Sequence, residues 1–182
     1  MTKYIKPIQP GLAFFAVAFL SLAPAIASAQ SARDSDEFTG FLAEAKTEAV
    51  QLQKSTEEMN SFVHFSTSFA TEAEKIAEIK QRVNKLGELF TKMDNVETAS
   101  TWQQMAVVDI RPMVEELAAN LTMTIFNLCA APDRLVFTSF PEYVEANAET
   151  AADLEQTISD YVAYGEARNK AEELSLRLEL PD

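Results

Sequence analysis

Beyond residue 34 the chain carries apolar residues at steps of three and four, the period that lines one face of an α-helix. Phe38, Leu42, Ala45, Ala49, Leu52, Met59 and Val63 form the first such stripe, broken only by Thr56. Asp34 and Glu37 have the spacing of an N-cap and its third-position carboxylate, so this helix begins at Asp34 or Ser35 and runs over about 35–65. Ser66-Thr67-Ser68 then offers the backbone competing hydrogen bonds, and the stripe changes phase there. A chain reversal is the favoured reading; one continuous helix from 36 to 93 is the alternative, since no proline forces a break. After the turn, Phe69, Ala73, Ile76, Ile79, Val83, Leu86, Phe90 and Met93 predict a helix over 69–93, closed by Asp94-Asn95.

Ser100 and Gln103 have capping-box spacing and open a third helix over 101–129. Its seam is Val107, Ile110, Val114, Leu117, Leu121, Thr124 and Leu128, and at about 1.5 Å per residue it spans roughly 43 Å. Pro112 lies well inside, where its ring opposes the Val108 carbonyl, so a bend is expected. The link from Ala130 to Ser139 holds Leu135, Val136 and Phe137, expected to fold over the end of the helices. Ser139 and Glu142 then cap a last helix over 140–179, with Pro141 in its first turn. Val144, Ala151, Leu154, Ile158 and Tyr161 form its inner face. Past Gly165 the stripe rotates onto Tyr164, Ala167, Ala171, Leu174 and Leu178, which marks a local overwinding or a close helix crossing. The fold class expected is all-α: an antiparallel four-helix bundle, coiled-coil-like, in one domain over 30–182.

The first 29 residues read differently. Lys3 and Lys6 precede an apolar run from Leu12 to Leu22 and the small-residue stretch Ala27-Ser28-Ala29, the three-part layout of a cleavable signal peptide. A membrane anchor is the competing reading, because Gly11 to Ala29 is 19 residues and a spanning helix needs about 20. Pro24, Ser21 and Ser28 argue for cleavage, and no cysteine follows the run to carry a lipid. Export to the periplasm or beyond is therefore expected, with no stable membrane anchor after cleavage.

Removing two lysines with the signal peptide leaves 13 basic against 28 acidic residues, a net charge of −15. Such a surface repels nucleic acid and anionic membranes, and no basic cluster interrupts it. At 153 residues (182 minus 29) the mature chain can bury a core without staples. It has none to use, since Cys129 is the sole cysteine.

Candidate chemistry is sparse. His64 is the only histidine, and the residues three and four positions away, Asn60, Ser61, Thr67 and Ser68, include neither a carboxylate nor a second ligand. Di-iron, zinc-protease and haem-attachment motifs are absent from the sequence, so no metal or cofactor is assigned. Met59, Met93, Met105, Met113 and Met123 could partner His64 on a haem iron, but methionines at helical spacing more commonly fill core gaps. Cys129 follows Leu128 and precedes Ala130-Ala131, which reads as a small buried hydrophobe; the sharper reading is an interchain disulfide in an oxidising compartment. A cysteine nucleophile would need a nearby base, and the one histidine lies on another helix. Asn120, Thr124 and Asn127 form a polar notch that Tyr143, Tyr161 and Tyr164 could face, either as a ligand site or as hydrogen bonds that fix helix register. Glu57-Glu58, Glu115-Glu116 and Glu172-Glu173 are neighbours in sequence, hence about 100° apart on a helix, and read as solvated faces.

The stretch from Trp102 through Gln103-Gln104-Met105-Ala106-Val107-Val108-Asp109-Ile110-Arg111 to Pro112, with Glu116-Leu117-Ala118-Ala119-Asn120 after it, resembles a pattern in uncharacterised exported helical proteins of environmental bacteria. The likeness extends loosely across the mature chain and implies a bacterial envelope location but no activity. The function expected is non-enzymatic, by contact with another envelope protein or with itself, the long last helix being the expected interface. The alternative is a periplasmic bundle that binds a small ligand near Asn120 and the tyrosines.

Overall fold

The computed structural model describes residues 34–63, 68–130 and 138–178, all within one compact unit. The stretch expected to be a signal peptide, His64 and the Leu135-Val136-Phe137 trio lie outside the described residues. Four helices make up the rest: α1 (Asp36–Phe62), α2 (Phe69–Asp94), α3 (Thr101–Ala130) and α4 (Phe140–Leu178). There is no strand among the described residues.

The helix ends follow local chemistry. Ser35, not Asp34, caps α1: its hydroxyl accepts from the Phe38 N–H at 3.4 Å. Ser68 caps α2 by accepting from the Thr71 N–H at 3.3 Å, which fits a break at the three hydroxyl residues. Asn95 closes α2, its side-chain amide donating to the Thr91 carbonyl at 2.7 Å. α3 continues as helix through Pro112.

Contacts between helices run in a consistent sense. Glu58 meets Lys75 at 2.8 Å, Arg82 meets Glu48 at 3.4 Å and Lys85 meets Glu44 at 2.8 Å, so residue numbers fall along α1 as they rise along α2. The same holds for α3 and α4, where Thr124 meets Asn147, Asp109 meets Tyr161 and Trp102 lies against Gly165. α2 touches α3, and α4 touches α1, which closes the ring of four.

Inside the ring sits a single apolar core, and the first stripe supplies it in full: Phe38, Leu42, Ala45, Ala49, Leu52, Met59 and Val63 are all buried. Thr56 is buried too, because its hydroxyl donates to the carbonyls of Leu52 and Gln53 and so leaves no unpaired proton. The α3 seam from Val107 to Leu128 is buried throughout. Phe69 is a correction: it stands at the solvent-facing start of α2, about half exposed. Cys129 is another, since its side chain is exposed and it is not a core filler. Of the rotated stripe, Tyr164 packs against Trp102, whereas Ala167, Ala171, Leu174 and Leu178 are exposed.

Candidate functional site

The sequence-predicted notch does not assemble as one site. Thr124 is buried and central to what does form: its hydroxyl donates to the Asn120 carbonyl at 2.8 Å and accepts from the Asn147 amide at 3.1 Å. Asn147 also donates to the Tyr143 carbonyl at 2.8 Å. Asn127 turns back to its own helix and donates to the Met123 carbonyl at 2.9 Å. Tyr161 lies elsewhere, donating to Asp109, which stands 15 residues before Thr124 on α3, about 22 Å at about 1.5 Å per residue. The space beside Thr124 and Asn147 is too tight to admit even a water-sized molecule. Small-molecule sites take about 300–1,000 Å³, far more than this space offers. Asn147 was the missed partner; its sequence signal is an amide at a position where α4 otherwise carries apolar and small residues.

A more elaborate arrangement sits at the other end, around Trp102 at the start of α3. Gln103 builds it. This fully buried amide accepts from the backbone N–H groups of both Ser35 and Ser100 at 2.9 Å, and donates to the Ser35 carbonyl at 3.0 Å. One side chain thus makes half of a capping box at α3, the buried Ser100 hydroxyl having no hydrogen-bond partner among the described residues, and fastens the start of α1 to it. Fastening α1 there brings Asp34 to Trp102, whose indole N–H donates to the carboxylate at 2.7 Å. Arg168 of α4 reaches the same carboxylate at 3.3 Å and lies over the Tyr164 ring.

Four aromatic rings gather on this frame. Trp102 meets Phe38 edge-on at 6.3 Å and Tyr164 edge-on at 5.4 Å, and stacks with Tyr161 at 6.5 Å. Gly165 lets α4 approach: a Cβ there would lie 2.9 Å from Cη2 of Trp102, so this glycine sits at a close helix crossing. The Tyr161 hydroxyl is pushed up to about 12, by burial first and then by its hydrogen bond to the Asp109 carboxylate, so it stays a proton donor in ordinary conditions.

Between α3 and α4 the surface opens into a groove of about 600 Å³, floored by Trp102, Met105, Tyr161 and Tyr164 and edged by Asp160 and Arg168. It is mainly apolar, and its one cation is already engaged with Asp34. Among the described residues no group of three metal-binding side chains occurs, and no helix is long and apolar enough to cross a membrane. Set beside known protein families, curated proteins and solved structures, the chain matches none.

Proposed function

We infer that the mature chain is an exported, non-enzymatic protein of the bacterial envelope, an up-down-up-down antiparallel four-helix bundle that acts by helix-to-helix contact with another envelope protein or with itself. The signal-peptide layout of residues 1–29 supports export, and the opposed numbering of the helix contacts supports the antiparallel topology. The lack of a base for Cys129 and the ligand-poor surroundings of His64 in the sequence support a non-enzymatic role.

The observation that supports the reading is the row of exposed leucines at the end of α4. Past Gly165 the helix continues to Leu178 with Leu174, Leu176 and Leu178 at 43%, 72% and 62% exposed, beside charged residues that keep the segment soluble. A helix that extends about 20 Å beyond its last core contact, at about 1.5 Å per residue, gains little within its own chain from those leucines. A photoreactive residue in place of Leu176, activated in the host envelope, is expected to join this chain to a protein. No protein adduct, together with a monomeric chain, would overturn the reading.

A second reading is favoured by the Trp102 groove, whose volume falls in the range of small-ligand sites. It predicts a non-protein mass that travels with the purified chain and is lost in Tyr164→Ala; a groove that carries nothing removes it.

A further inference from the structure

The outward side of α3 is unlike that of a helix that faces only water. Counting from Thr101 in alternating steps of four and three leads to Cys129, and every residue on that line is exposed. Its apolar members include Met105, Val108, Pro112, Ala119 and Phe126, with Val108 and Phe126 67% and 64% exposed. Glu115 is its only charge in a chain with 28 acidic residues. This is the a/d spacing of a coiled-coil seam sustained over four heptads, on the face opposite the one the bundle buries.

We propose that this seam takes a second copy of the same chain, the two α3 helices lying side by side and parallel about a two-fold axis. The proposal rests on the reading that the protein works by helix contact, and it names the contact. Charge selects the occupant and its direction. Arg111 flanks the seam on one side and Glu116, five residues on, flanks it on the other. In a parallel pair these are the positions that face each other across the interface, so Arg111 of each copy meets Glu116 of the other, twice by symmetry. In an antiparallel pair Arg111 would meet Ala118 while Glu116 met Asp109, or, one heptad on, Arg111 would meet Ile125 while Glu116 met its own copy, so in neither register does Arg111 gain a carboxylate. Arg111 already holds Asp94 at 2.7 Å, and its planar fork has donors left for a second carboxylate.

Area sets the strength. A strip roughly 43 Å long and about 10 Å wide is on the order of 430 Å² per copy, or about 860 Å² in all, below the roughly 1,200 Å² of stable complexes. The pair is therefore a concentration-dependent one, weakened at its centre where Glu115 meets its copy. Cys129, at the last seam position, then comes close to the Cys129 of the second copy, within reach of a disulfide that would hold the pair.

The test uses the mature chain and its Thr101→Cys variant with oxidised glutathione. The protein disulfide forms as the two thiols pass two electrons and two protons to glutathione disulfide, which leaves as two reduced glutathione molecules. The expected products join Cys129 to Cys129 and, in the variant, position 101 to position 101, at a rate that rises with protein concentration. Phe126→Asp should slow them at least about tenfold while leaving helicity unchanged, and Glu115→Leu should speed them. A bond between position 101 of one copy and Cys129 of the other overturns the parallel register. Crosslinking indifferent to Phe126→Asp overturns the seam. If the Leu176 photoadduct still forms in that case, the helix-contact function survives and only the seam is lost.

Discussion

Two glycines on helices of this bundle make a paired experiment. Gly87 in α2 and Gly165 in α4 are both interior helical positions, so an alanine at either gains about 1 kcal/mol of helix propensity. Around Gly87 no atom lies within 4 Å of an added Cβ, and the gain is realised in full. At Gly165 the new methyl would meet Cη2 of Trp102 at 2.9 Å and Cζ2 at 3.2 Å. That ring is held by its bond to Asp34 and by Phe38, Tyr161 and Tyr164, so it must tilt at the expense of those contacts. Overpacking of this kind costs about 1–3 kcal/mol, which cancels or exceeds the propensity gain. Subtracting the two variants removes propensity and leaves the clash, about 2 kcal/mol, or roughly 4–8 °C in midpoint for a chain of this size. Thermal unfolding followed by circular dichroism measures the difference, and fluorescence of Trp102, the only tryptophan, reports whether the indole moved. Gly165→Ala unfolding at the same temperature as Gly87→Ala, with unchanged fluorescence, would refute the close crossing.

Three further outcomes follow from the same contacts. Gln103→Ala removes the partner of the Ser35 and Ser100 N–H groups in a buried setting and is expected to cost about 2–5 kcal/mol in urea unfolding; a loss below about 1 kcal/mol would mean that water replaces the amide. Asn147→Leu removes a buried amide oxygen that has no partner, while Thr124 keeps its bond to Asn120, so stability should hold within about 1 kcal/mol or rise even though register is less firmly set. On α1 and α2, hydrogen bonds from Lys85 and Lys75 hold the Glu44 and Glu58 carboxyls below their usual value, and Ser55 followed by Arg82 does so for Glu78. Carboxyls depressed in the folded state stabilise it above their unfolded value of about 4.5 and lose that contribution as pH falls through the folded value. Replacing Lys75 and Lys85 together by alanine should therefore shrink the stability lost between pH 6 and pH 3.5, and an unchanged loss would place the acid sensitivity elsewhere.

The helices were legible because three- and four-residue periodicity is a one-dimensional signal, and the Ser68 hydroxyl cap and the Gln103 amide on the Ser100 N–H are local chemistry. Asp34 was misread for a related reason: carboxylate spacing can predict a cap, but the carboxylate is taken by Trp102 and Arg168, which lie far along the chain. Of the polar notch, Thr124 is joined to α4 by a hydrogen bond. Thr124 at a seam position announced a buried hydroxyl, but its partner on α4 depends on the relative rise of two helices, which periodicity does not encode; Tyr161 was assigned to the wrong end for that reason. Gly165 showed in the sequence as a phase shift, while its cause, the indole packed against it, required the fold. The outward α3 seam was missed because a helix with two apolar lines gives a weak amphipathic contrast, and only burial separates the line that faces the core from the one left open.

Native mass spectrometry of the chain purified gently from its own host tests the helix-contact account most directly. Its prediction is a mass of two chains, or of this chain with a second protein, beginning at Gln30, with the two-chain species lost in Phe126→Asp. A single chain at every concentration, alone or carrying only a small molecule, would contradict it.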